Sequence, residues 1–171
     1  KKNFINVDLK QPHAIRIGPD KNLYIVDTGN HRILKYSKNG NFLGWIGKKD
    51  NGEINNDWSK EGNAVSGKEL GAFNTPIDLI FHNDYFLVSD CFNNRILKID
   101  VSGKSIGWIG KSSNKHENND ITWYSDDSQE PSKDINGLNR PYGLRIRDKK
   151  IYIADRRNHR IKIIESSNLF V

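Results

Sequence analysis

One pattern, Asp-x-x-Asn-x-Arg, occurs three times in 171 residues. It reads Asp27, Asn30 and Arg32, then Asp90, Asn93 and Arg95, then Asp155, Asn158 and Arg160. The arginines stand 63 and then 65 residues apart. Each copy follows an apolar run of β type (Tyr24-Ile25-Val26, Phe86-Leu87-Val88, Tyr152-Ile153-Ala154) and precedes another (Ile33-Leu34, Ile96-Leu97, Ile161-Lys162-Ile163). Self-similarity at a nearly fixed period marks repeat architecture, so the chain is read unit by unit.

Each unit opens on a proline, at Pro12, Pro76 and Pro141. A short apolar run follows, then a polar turn, the strand that ends in the Asp, the Asn-x-Arg corner and a third strand. In the first two units a further turn leads to a fourth run, Phe42 to Gly47 and Ile106 to Gly110. Four short strands joined by tight polar turns make an up-and-down antiparallel sheet. Tandem repetition of such a sheet builds a propeller. The second strand of each unit is apolar at consecutive positions, as a strand covered on both faces should be. The first strands mix Arg16, Asp78 and Arg145 with apolar neighbours, which suits a wet central channel. The expected fold is therefore all-β, with four-stranded blades near residues 13–47, 77–110 and 142–171. No run of 18 apolar residues is present, so no membrane span is expected.

Taken together, the proline, the apolar strands, the Asp-x-x-Asn-x-Arg corner and the closing Ile-Gly resemble the NHL repeat. Asn30-His31-Arg32-Ile33 and Asn158-His159-Arg160-Ile161 read nearly as that signature, and Asn93-Asn94-Arg95-Ile96 departs only at its central residue. The resemblance covers about 40 residues of each unit and implies blades of a propeller that closes with six. It does not fix an activity, because the family includes binding platforms, RNA readers and lyases.

A spacing near 64 exceeds a bare blade of roughly 40–50 residues. The excess falls between fourth and first strands, as insertions at 48–75 and 111–140. Each carries a tryptophan in a related setting, Asn56-Asp57-Trp58 and Asn119-Asp120-Ile121-Thr122-Trp123. Loops of this length without strands of their own tend to be functional or disordered; these hold enough apolar residues to be expected as ordered loops packed on the blades. Both are slightly acidic, so the blades carry more than the whole chain's +6. Basic blades can attract nucleic acid. An RNA reader needs aromatic rings beside its basic groups, and here the rings of Trp58 and Trp123 lie in acidic loops, so a nucleic-acid partner is not favoured.

The candidate chemistry is sparse. Cys91 is the only cysteine, which leaves no internal disulfide and no cysteine-based metal site. The corner residues are read as scaffold: an Arg opening a strand can reach a carboxylate or carbonyls across the corner, and an Asn tolerates the left-handed conformation. Repetition in every unit argues the same way, since a catalytic site is asymmetric. His31 and His159 sit at corners. His13 and its equivalent Tyr142 are candidates to face the channel. A zinc site needs three or four converging ligands, and only one channel position holds His, so a channel-site metal-dependent lyase or hydrolase is the weaker alternative. Asp- and Asn-rich stretches of the insertions could hold Ca²⁺ but match no defined calcium loop. No cofactor is expected. The favoured reading is a non-enzymatic binding propeller. Its rim, built from the insertions with Trp58, Trp123, Tyr124, His31 and His159, would take a protein, a peptide or a small polar ligand.

Three blades do not close a ring. The chain lacks methionine even at position 1 and is expected to be cut from a longer one or processed. Residues 4–9 (Phe4 to Leu9) fit a fourth strand, and Leu169 to Val171 fit the start of one. Two outcomes follow: a homodimer of half-propellers closing six blades, each lending its first strand to the other, or a fragment of a longer propeller chain.

Overall fold

The computed structural model describes residues 8–112, 123–126, 129–135 and 137–165. The expected closing strand at 4–9 and the stretch 169–171 lie largely or wholly outside them, as does 113–122 of the second insertion. The first sheet runs β1 (Pro12–Ile17), β2 (Leu23–Asp27), β3 (Arg32–Tyr36), β4 (Phe42–Lys49) in spatial order. The second is β7 (Pro76–His82), β8 (Tyr85–Asp90), β9 (Arg95–Asp100), β10 (Ser105–Ile109). The third has β13 (Pro141–Arg147), β14 (Lys150–Asp155) and β15 (Arg160–Glu165). Every pairing is antiparallel, and in each sheet Asp and Arg of the corner face each other across the ladder: Asp27 with Arg32, Asp90 with Arg95, Asp155 with Arg160.

The insertions correct one expectation, because they are not strandless. The first supplies β5 (Ile54–Asn55) and β6 (Ala64–Val65), both paired to β4, so the first sheet has six strands. The second supplies β11 (Lys111–Ser112) paired with β12 (Gln129–Glu130). Each insertion also crosses the outer edge of a fourth strand at the same place. Trp45 N–H donates to Ser59 O at 3.0 Å, and Trp108 N–H to Tyr124 O at 2.9 Å. The crossing demands glycine. A Cβ on Gly44, whose φ is +151°, would lie 1.7 Å from Trp58 O.

Apolar burial lies between sheets, as stacked blades require. The forward face of blade one (Tyr24, Val26, Ile33, Ile46) packs on the backward face of blade two (Leu79, Phe86, Val88, Leu97, Ile99, Trp108). The forward face of blade two (Ile80, Leu87, Ile96, Ile109) packs on Leu144, Ile151, Ile153 and Ile164 of blade three. The first strands β1, β7 and β13 lie side by side, which makes them the axial edge of the stack. Among the described residues no helix is long and apolar enough to cross a membrane.

Candidate functional site

The three corners are built alike, from sequence outward. After each Asp a three-residue 3-10 turn brings the chain round, and the residue before the Arg takes the left-handed conformation: His31 (φ 54°), Asn94 (φ 55°) and His159 (φ 50°). The Asp side chain accepts at both oxygens. One takes the backbone N–H of the residue two before the unit's proline, from Lys10, Asn74 and Asn139, each at 2.7 Å. The other takes the Asn amide and the Arg Nε, all between 2.7 and 2.9 Å. The remaining guanidinium donors close on carbonyls of the linker that enters the blade. Arg95 reaches Lys68, Glu69 and Ala72; Arg160 reaches Lys133, Asp134 and Gly137; Arg32 reaches Asp8. Burial pushes the Asp90 carboxyl upward against the opposing pull of Arg95 and the donors of Asn74 and Asn93, so its charge depends on those partners.

The aromatic residues of the insertions point inward. Trp58 lies edge-on to Tyr24 at 5.4 Å, close to Phe86, and donates its Nε1–H to Val101 O at 3.2 Å. It thereby wedges the perimeter between blades one and two. Trp123 packs against the core between blades two and three, beneath the Lys98 ammonium. Tyr124 stacks on Trp108 with centroids 4.7 Å apart. Gly44 and Gly107 stand under these two crossings, each immediately before the tryptophan of its fourth strand, a repeated pair that could have marked the close approach of backbone.

The histidines differ in setting. His31 is half-buried, and its Nδ1 accepts the Thr75 N–H at 3.0 Å. Burial lowers its pKa, with Lys10 adding to that and Asp90 opposing it. His159 lines an open cleft of 360 Å³ with Tyr142, Ala154, Arg156, Arg160 and Ile161. His13 is exposed and meets Tyr142 edge-on at 6.5 Å, so the axial edge brings these two together.

The same edge holds a charged constellation that the sequence reading noted only as polar residues among apolar ones. Asp78 of β7 is 6% exposed. Its carboxylate accepts from Arg16 of β1 on one side. On the other side it accepts from Arg145 Nη1 of β13 at 2.9 Å and from Leu144 N–H at 3.0 Å. One carboxylate thus ties three blades, and two guanidiniums share it. The Arg145 side chain is 71% exposed and that of Arg16 30%. Their remaining N–H groups leave two guanidinium forks on one edge, tied to one carboxylate, with one positive charge in excess.

Other groups offer less chemistry. Burial pushes the Cys91 thiol up to about 11, so it is no nucleophile at neutral pH. Among the described residues no three of His, Cys, Asp and Glu converge on a point.

Antiparallel sheets stacked face to face about an axial first strand define a propeller-type repeat protein, and known proteins agree. The NHL repeat model matches residues 9–36 and 138–164. The chain thus carries NHL-repeat sequence at two places. It is 37% identical over 79 residues to NHL repeat-containing protein 2 of Gallus gallus, a match covering 46% of this chain and 10% of that one. Two solved structures share the fold. An auxiliary nutrient binding protein from Bacteroides ovatus has TM-score 0.59 at 17% identity, covering 88% of this chain and 36% of its own. A chain from Bacteroides thetaiotaomicron, provisionally named a phosphatase, has TM-score 0.57 at 18% identity, covering 89% and 34%. This chain therefore spans about a third of those structures and a tenth of the curated relative.

Proposed function

We propose that the chain is a non-enzymatic binding and scaffold propeller whose recognition surface is the axial edge. The observation that carries this is the Arg16–Asp78–Arg145 bridge. Asp78 fixes two arginine forks and leaves outward donors and an unmatched positive charge. Arginine forks suit planar carboxylates and phosphates, so the partner would present an anionic group: a small carboxylate or the acidic side chains of a protein or peptide. His13 and Tyr142, on the same edge, would add a polar and an aromatic wall. The nutrient-binding name of one structural neighbour is consistent with a binding role.

The insertion rim is the other face to which a protein could dock. With Trp58, Trp123 and Tyr124 engaged in packing, its contribution would be backbone and polar groups and not stacked rings. The engagement of those rings also weighs against an RNA reader. Binding of citrate and of a glutamate-rich peptide, measured by calorimetry, tests the proposal. Wild type should bind saturably, and Arg16→Ala with Arg145→Ala should weaken binding at least tenfold. No binding by wild type, or equal binding by the double variant, would refute it.

A further inference from the structure

The two internal junctions share a latch. The residue before the proline of the second and third units is held left-handed, Thr75 at φ 58° and Arg140 at φ 50°. Its backbone N–H donates to the preceding corner: Thr75 to His31 Nδ1 and Arg140 to Asn94 Oδ1, both at 3.0 Å. On the donor side the latch uses main chain alone, so it fixes where the side chain starts and leaves that side chain for other contacts. At the second junction that side chain is a guanidinium, and its Cζ lies over the Phe92 ring, 4.5 Å from the centroid.

The Phe92 side chain is not part of the corner scaffold. Its place, two residues after the Asp, holds Gly29 in the first unit and Arg157 in the third. All three make the same bond through the backbone N–H, to the carbonyls of Lys10, Asn74 and Asn139. The ring is nonetheless 47% exposed. This corner lies inside the stack, between blades one and three, so neither end of the chain leaves it open. Arg157 is exposed on the neighbouring corner. Burial raises the Cys91 thiol, and the charges of Arg140, Arg156 and Arg157 oppose that rise, which sets these guanidiniums within electrostatic reach of one buried point. Among the described residues no carboxylate pairs with Arg140 or Arg157; Asp90 and Asp155 are turned to Arg95 and Arg160.

The strand that leaves this corner is β13, and it carries Arg145 to the axial edge, five residues after Arg140. At about 3.3 Å per residue, shortened a little by the bulge between Pro141 and Leu144, the two backbone positions stand roughly 15 Å apart. A small carboxylate such as citrate does not span that distance. An extended peptide covers it in about five residues. We infer that the anionic partner is an extended acidic peptide segment, with one carboxylate at the Arg16 and Arg145 forks and another at Arg140 and Arg157. The inference rests on the axial edge being the anion site, and it adds a second anchor on the corner face. Phe92 is the positioning residue, because its ring holds the Arg140 guanidinium with its N–H edge available to a carboxylate. A nucleic-acid base is the poorer fit, since it would stack on a ring face and the guanidinium already covers one.

Calorimetry with citrate and with an N-acetylated octaglutamate peptide tests this, with circular dichroism to show that each variant keeps its sheets. The quantity read is the ratio of octaglutamate affinity to citrate affinity. In wild type the peptide should bind at least tenfold more tightly. Arg140→Asn combined with Arg157→Ala should lower the ratio at least fivefold; asparagine is chosen because it tolerates the left-handed backbone. Phe92→Ala should lower the ratio as well, and Phe92→Tyr should keep it. N-acetylated diglutamate, too short to reach both anchors, should bind no better than citrate. An unchanged ratio in the double variant, with citrate still bound, would overturn the second anchor and leave the axial site standing. Wild type that binds neither ligand would overturn both. Octauridylate that binds more tightly than octaglutamate and is lost in the same double variant would assign the corner to nucleic acid and overturn the peptide.

Discussion

Replacing the corner arginines one at a time should give unequal losses of stability, although each donates its Nε–H to the corner Asp in the same way. Arg95 is 0% exposed in its side chain, Arg32 15% and Arg160 31%. Arg95→Ala strands the fully buried Asp90 carboxylate and removes the donors of three carbonyls, those of Lys68, Glu69 and Ala72. Removing one partner of a buried pair costs about 3–5 kcal/mol. Arg160→Ala also strands a fully buried carboxylate, Asp155, but its guanidinium is partly exposed, so water can take over part of the lost hydrogen bonding and a smaller loss of about 1–3 kcal/mol is expected. Arg32→Ala should fall between. Urea unfolding followed by tryptophan fluorescence reads the differences, with hydrogen exchange assigning them to blades because tandem repeats lose stability locally. An Arg160→Ala loss equal to or above that of Arg95→Ala would show that burial does not set the value of these bonds.

Lys162 occupies the place of the fully buried Leu34 and Leu97, and burial lowers its pKa to about 8. The unfolded chain then holds more protons between about 8 and 10.5, so wild-type stability should rise with pH through that window. Lys162→Leu should remove the rise and stabilise the protein at pH 7 by about 1–2 kcal/mol, after discounting for partial exposure. Gly44→Ala should displace the insertion crossing, read as red-shifted Trp58 emission, whereas Gly40→Ala, with open space around it, should cost only about 1 kcal/mol for its positive φ. The lowered pKa of His31 means that its contribution is present above about 6.5 and lost as pH falls below it. His31→Asn should retain stability and abolish that acid-side loss, because Asn94 makes the same bond in the second blade.

The blades were legible because their marks recur: a proline, two apolar runs and a triad at one spacing survive any single irregularity. Arg95 and Asp90 could be paired from sequence because they are local, five residues apart. Asp78 could not, since its partners Arg16 and Arg145 lie 62 and 67 residues away and the bridge occurs once. Trp58 and Trp123 read as rim residues because long polar loops look exposed. The strands β5 and β6 and the glycine-lined crossings that turn those rings inward leave only short, two-residue marks. The latch at Thr75 and Arg140 was hidden for another reason: its donor is a backbone N–H, and only the proline that follows betrays the position.

Amide exchange measured by NMR at Lys10, Asn74 and Asn139 tests most directly the claim that the repeated triads are scaffold. Each of these amides is held by a corner Asp at 2.7 Å. All three should exchange slowly, because each accepting carboxylate is fully buried. Asp90→Ala should release Asn74 while leaving Asn139 protected. Fast exchange at all three in the folded protein would contradict the account, because the triads would then be free for some other task.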